Sequence, residues 1–184
     1  GTTTGLGKVT ITPSHTAWTK SDVTVTLSHA AVSGYTLQYS YDGTTWSNYT
    51  AALTLTENKT VYGRMYNSTL KDEGDSAASK AISIIDKTAP GTPTAVKLTF
   101  TTNGVTATAS GSTDTGSGFS KYQYSKDNST WQDSGSFSGI KSGTSVTIYA
   151  RAVDKVGNIS GTKSSAGTTT GLGKVTITPS HTAW

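Results

Sequence analysis

The chain has 184 residues, no cysteine, and a net charge of +4 that reflects few acids rather than many bases. Without cysteine, thiol catalysis, disulfide staples and Cys-ligated zinc are excluded, and Lys and Arg are too scattered to make the clustered basic face of a nucleic-acid binder. Thr and Ser number 37 and 25, a composition that favours disorder when apolar residues are evenly diluted; here Val, Ile, Tyr and Trp fall in alternating runs, and β-branched Thr suits the solvated face of a strand, so the expected product is all-β with modest cores.

The chain opens on Gly1 to Trp18, GTTTGLGKVTITPSHTAW, and the same eighteen letters return at Gly167 to Trp184, an offset of 166. The chain therefore reads as a window on a tandem array: one full period and the start of the next. The alternative is a duplicate appended artificially, with no periodic meaning. No apolar run approaches the length that crosses a bilayer and no signal peptide is visible, so no membrane insertion is expected in this segment.

In the first half the alternation predicts strands near Lys8–Thr12, Asp22–Ser28, Tyr35–Tyr41, Thr45–Tyr49, Ala52–Thr56, Thr60–Tyr66 and Ser76–Ile85. Asp42-Gly43 predicts a tight primed hairpin turn. Tyr35, Leu37, Tyr39 and Tyr41 share one strand face, and Trp46 is expected to cap the core. A proline-stiffened connector follows, Asp86 to Pro93, in which Pro90 and Pro93 stop the ladder.

The second half restates the first. Gln38 to Trp46 aligns with Gln123 to Trp131 at an offset of 85, and Val61 to Arg64 aligns with Ile148 to Arg151 at 87. Strands are predicted near Ala95–Thr101, Gly104–Ser110, Phe119–Ser125, Thr130–Asp133, Ser136–Ile140, Ser145–Val153 and Ile159–Lys163, with Asp127-Asn128 in the hairpin place and Trp131 as its core cap. Gly161 to Gly173, rich in Gly, Ser and Thr, reads as a flexible joint. Short strands with frequent turns suggest two antiparallel sheets packed face to face. The expected organisation is thus two immunoglobulin-like β-sandwich domains, 1–88 and 89–166, with 167–184 supplying the first strand of the next repeat. Each domain adds roughly 35–45 Å, the extent of a compact unit of this size.

The second copy resembles a bacterial immunoglobulin-like or fibronectin-III-like surface repeat in Asp114-Thr-Gly-Ser-Gly-Phe119, Tyr122-Gln-Tyr-Ser125, Trp131 and the run Ile148 to Ser160. The first copy looks like a sister type in Trp18 to Thr26, Tyr39 to Trp46 and the closing Ile85 to Pro90. It departs at Tyr66 to Gly74, a longer loop than the turn at Asp154 to Asn158. The resemblance implies spacers, stalks or adhesive domains of large secreted proteins, or accessory domains of carbohydrate-active enzymes.

No catalytic residues stand out, and an enzyme is not expected. One period holds only His15 and His29, and no strained Gly-x-Ser-x-Gly elbow presents a serine. Asp72, Glu73 and Asp75 are the candidate calcium ligands, without EF-hand spacing and with Lys71 beside them. Asp86 at the joint is a further candidate with no acidic partner close in sequence. Five of the six asparagines head an Asn-x-Ser/Thr acceptor: Asn48, Asn58, Asn67, Asn128 and Asn158. Trp18, Trp46, Tyr49, Tyr66 and Trp131 are the candidate rings of a ligand platform, core packing being the competing use. The expectation is an extracellular structural segment, a spacer and presenter in a stalk, fibre or adhesin, partnered by neighbouring repeats and capable of self-assembly into a fibre. The alternative is a carbohydrate- or ligand-binding adhesive module using exposed aromatics.

Overall fold

The computed structural model of the chain describes residues 5–177, all of them strand, turn or loop. The chain divides into two compact units, Gly1–Thr88 and Ala89–Trp184. Each unit is an antiparallel β-sandwich built from short strands in two sheets.

In the first unit β1 (Thr10–Pro13), β2 (Val23–Ser28) and β5 (Leu53–Leu55) form one sheet in the order β1-β2-β5. β4 (Ser47–Asn48), β3 (Thr36–Ser40), β6 (Lys59–Tyr66) and β7 (Ala78–Ile82) form the other, in that spatial order. Alternation sends Val23, Val25 and Leu27 of β2 and Val61 and Met65 of β6 into the space between the sheets. Gly63 completes the inward row of β6: a Cβ there would lie 2.8 Å from Val9 and 2.9 Å from Leu27. The missing side chain lets β1 close over β6.

The second unit repeats the plan with β8 (Ala95–Phe100), β9 (Gly104–Ser110) and β11 (Ser136–Ser138) in one sheet. β10 (Phe119–Ser125), β12 (Ser145–Asp154) and β13 (Ile159–Thr168) make the other. Its core is smaller in side chain, with Ala107, Ala109 and Ala150 beside Ile148, Phe137 and Tyr124. Tyr124 turns its hydroxyl to accept the backbone N–H of Ala109 at 3.1 Å, so the ring fills the core without an orphaned polar atom.

Three expectations are corrected. The strand near Thr130–Asp133 is reduced to one bridge, Tyr124 to Gln132, so the fourth strand of the first unit has no full counterpart. The turns after β3 and β10 are not two-residue primed hairpins. Only Gly43 and Asn128 have positive φ there, whereas a primed turn of type I′ needs two such residues in succession. Both loops are instead wound around an aspartate. Asp42 accepts the N–H groups of Thr44 and Thr45 at 2.7 Å and the hydroxyl of buried Ser40 at 2.8 Å; Asp127, Ser129, Thr130 and Ser125 repeat the arrangement.

The third correction concerns the joint expected over Gly161 to Gly173. β13 occupies its first eight residues and pairs with β12 as far as Thr168. Ladder bonds use only backbone, and the outward side chains of this edge strand need only tolerate water, so a Gly/Ser/Thr run serves. Thr169 and Thr170 still donate to the carbonyls of Thr144 and Thr101 at 3.0 Å. The ladder therefore crosses position 167, where the sequence repeat begins. Of that repeat, 178–184 lie outside the described residues.

Gly63→Ala is expected to destabilise the first unit by about 1–3 kcal/mol, because the added methyl meets two packed side chains. Denaturant unfolding of the variant against the parent chain measures this.

Candidate functional site

Both units carry the same cluster on the outward face of the sheet that holds β6 or β12. In the first, β3–β6 register sets Gln38 directly opposite Arg64. Because Val61, Gly63 and Met65 point inward, Arg64 must point out, and Tyr66 two residues on shares its face. The loop after β3 returns Trp46 to the same place. The Arg64 guanidinium carbon lies 4.0 Å from the Trp46 ring centre and 4.1 Å from that of Tyr66. Its Nε donates to Gln38 Oε1 at 3.0 Å and its Nη1 to Glu73 Oε2 at 3.1 Å. In the second unit Gln123 faces Arg151, whose guanidinium lies 4.1 Å from the Trp131 ring and donates through Nε and Nη2 to Gln123 Oε1 at 3.0 and 2.8 Å. Partial burial lowers the Arg151 pKa from its usual value.

Trp46 and Trp131 therefore do not cap the cores. They stand half-buried outside the sandwich and cover an arginine. A planar guanidinium suits this role, since it stacks on a ring with its face while its edge keeps its donors. The recurrence of Gln, Trp and Arg at matched offsets was the available signal; strand parity placed Gln and Arg outward, but the path of the loop decided where Trp went.

The other proposed platform rings are dispersed. Tyr49 packs against the first core. Trp18 is 43% exposed, and Trp131 belongs to the other unit. A groove of about 320 Å³ runs beside Trp46, lined by Gly43, Tyr62, Glu73 and Ala77 to Ser79. Tyr41, outside the sequence-based set, is 40% exposed and lies edge-on to Tyr39 at 5.5 Å with Lys59 above it.

The three loop acids do not converge. Asp72 accepts the Tyr35 hydroxyl at 2.7 Å, Glu73 meets Arg64, and Asp75 accepts the backbone N–H of Gly7 at 3.0 Å. They serve to fasten the long loop to three different elements. Within the second unit the carboxylates of Asp114 and Asp154 approach to within 4.8 Å, a pairing that sequence separation concealed. Each already accepts backbone hydrogens: Asp114 from Gly118 at 2.6 Å, Asp154 from Val156 and Asn158 at 3.0 and 2.7 Å. Asp86 is buried and accepts the N–H of Thr88 at 3.0 Å.

The histidines lie apart. His15 is exposed beside Ser14. His29 points both ring nitrogens at carbonyls: Nδ1 at Ala30 at 2.7 Å, and Nε2 at Leu6 and Gly7 at 2.9 Å. Acceptors on both sides favour the charged form of the ring. Its pKa is raised, first by the Ala30 carbonyl, against some desolvation, with Gly7, Leu6 and the Asp75 charge adding.

The sequon asparagines divide by geometry. Asn48 and Asn128 are exposed. Asn67 is buried and holds the N–H groups of Thr69 and Leu70 at 3.0 Å. Asn58 exchanges two hydrogen bonds with the Ile85 backbone, and Asn158 Nδ2 donates to Asp154 at 2.7 Å. A sugar would be attached at Nδ2, which already donates at Asn58 and Asn158 and which burial shields at Asn67.

No protein-family model matches the chain, and no curated protein matches it. Among solved structures it is similar to the FN1–FN3 domains of chicken CNTN1, with 14% identity and a TM-score of 0.40 over 91% of this chain and 66% of that one. It thus spans just under two thirds of that fragment. It is also similar to the fibronectin(III)-like modules of Clostridium thermocellum CbhA, with 13% identity and a TM-score of 0.35 over 92% of this chain and 100% of that one. The strand ladders define the class on their own: an all-β chain of immunoglobulin-like sandwich units. No helix among the described residues is long and apolar enough to cross a membrane.

Arg151→Lys is expected to cost about 1 kcal/mol, since an ammonium keeps the charge but loses the stacked plane and the paired donors. Equilibrium unfolding reads the loss. The loop aspartates and His29 have opposite pH signatures. Backbone N–H groups of Thr45 and Thr44, and of Thr130 and Ser129, hold Asp42 and Asp127 well below the usual carboxylate range. Their stabilisation is complete above that range and is lost as pH falls through the lowered values. For His29 the sign reverses: its contribution is complete below the ordinary imidazole value of 6.5 and disappears as pH rises through the raised one. Thermal scans should show the first unit melting lower at pH 8 than at pH 5.5, and His29→Gln should flatten that difference.

Proposed function

We propose that the chain is a structural segment of a long extracellular repeat protein, acting as spacer and presenter in a surface stalk, fibre or adhesin. One observation carries this reading: the eighteen-residue return at an offset of 166, with two sister sandwich units inside the period. Long, near-identical periods suit reach and repetition, with stability summed over units and their neighbours. The polar surface supports it too. Arg64 and Arg151 hold the faces of Trp46 and Trp131, so rings that would bind sugars are spent on internal packing. The reading includes no enzymatic role and no cofactor, and the exposed Asn48 and Asn128 are its glycan-acceptor candidates.

A ligand-binding adhesive role is the second reading, favoured by exposed Trp18 and by the groove beside Trp46. The two readings separate by experiment. Antibodies raised to this segment should label the outer surface of intact source cells, and lengthening or shortening the gene by whole periods should move a distal epitope outward or inward. Label confined to permeabilised cells would end the spacer reading. Binding of the segment on a glycan array, lost in Trp18→Ala or Trp46→Ala with folding intact, would favour the adhesive role instead.

A further inference from the structure

A strand at the rim of a sheet presents unpaired backbone groups to any strand that arrives. β4, β5 and β11 end their sheets with only two or three residues each. β7 and β13 also end their sheets and are longer, at five and ten residues. On β7 the Val9 N–H reaches the Ser76 carbonyl, and the Thr19 N–H reaches the Ile84 carbonyl. Alternation turns the backbone groups of Ala78, Lys80 and Ile82, which lie between, to the same outer side. Among the described residues no backbone bond meets them there.

Both strands carry a lysine where the core row asks for an apolar residue. Lys80 stands directly opposite fully buried Val61, and its row neighbours Ala78 and Ile82 belong to the first core. Lys163 stands directly opposite fully buried Ala150. Opposite residues of an antiparallel pair share a face, so both lysines set out toward the core. Both are nevertheless exposed. The stem of each must therefore bend out past the outer edge of its strand to keep the ammonium in water. Among the described residues neither ammonium has an ion-pair or hydrogen-bond partner. The two are not equivalent positions, since Val61 aligns with Ile148 and Ala150 with Gly63. Descent from one ancestral unit does not account for both.

We propose that Lys80 and Lys163 keep the outer edges of β7 and β13 from pairing with the same edges of a second copy of this chain. A strand laid along either edge would close the lysine's way out and leave a charge without a partner against the core. The backbone groups remain open to water, and pairing is refused by the side-chain row instead. An array of near-identical periods would hold many such edges at high local concentration. The guard operates in a single free chain as well, so it does not depend on the spacer reading.

The test uses the full chain. Lys80→Val with Lys163→Val completes both core rows. Light scattering should show its mass rising with concentration to about twice the monomer's or more, since each chain then offers two open edges. Hydrogen exchange should slow at the amides of Ala78 and Ile82. Lys80→Arg with Lys163→Arg keeps a charge on each edge and should stay monomeric. Lys141→Val, which removes a charge from an exposed loop, should stay monomeric too. If the double valine variant misfolds, Lys80→Val alone carries the same expectation for β7. Folded valine variants that stay monomeric at every concentration would overturn the proposal. So would association that Lys141→Val shares, or that leaves Ala78 and Ile82 exchanging as in the parent.

Discussion

Each unit depends on the parity of one strand. β6 and β12 run inside their sheets and pair on both sides, so their faces are fixed without choice. The inward face supplies Val61 and Met65, or Ile148 and Ala150, and so sets the core. The outward face supplies Arg64 or Arg151, and so sets the clasp. A slip of one residue would bury a guanidinium and expose the core row. Gln38 and Gln123, standing across the ladder from these arginines, lock that register with a hydrogen bond that a slipped strand would lose.

The remaining polar devices follow from the same shortage of apolar surface. Buried Ser76 bonds the Met65 backbone where β7 no longer reaches it, and Ser160 does the same for Ala152. Ser40 and Ser125 tie each aspartate-wound loop to its strand end. A chain with small cores cannot leave backbone groups unsatisfied. Serine hydroxyls at the breaks in the ladders close the account locally. Part of the hydroxyl richness is therefore structural, while the outward threonines of β2 and β9 are the solvated-face residues that alternation demands.

Strand existence was legible because alternation in runs such as Val23 to Ser28 and Gly104 to Ser110 has one physical solution. What failed was local geometry set by side-chain bonds. Asp42-Gly43 has the letters of a primed turn, yet the aspartate carboxylate organises a wider loop. Trp46 has the size of a core residue, yet the loop delivers it to the outer face. Gly161 to Thr168 has the composition of a linker, yet it is a strand because its partner β12 asks only for backbone. The acids at 72, 73 and 75 looked like one cluster in sequence; the loop turns each toward a different anchor. Asp114 and Asp154, forty residues apart, show the converse, since a loop and a strand end meet without any sequence trace.

The repeated segment makes the distinction between letters and context plain. One string of residues finishes a sandwich at Gly167 to Thr170, and from Leu172, two letters later, its apolar residues are exposed. In its first occurrence those same residues are core. Burial is thus not a property of LGKVTIT but of the seat it meets: Gly63 below, Ser76 and Asp75 beside, β2 along the edge.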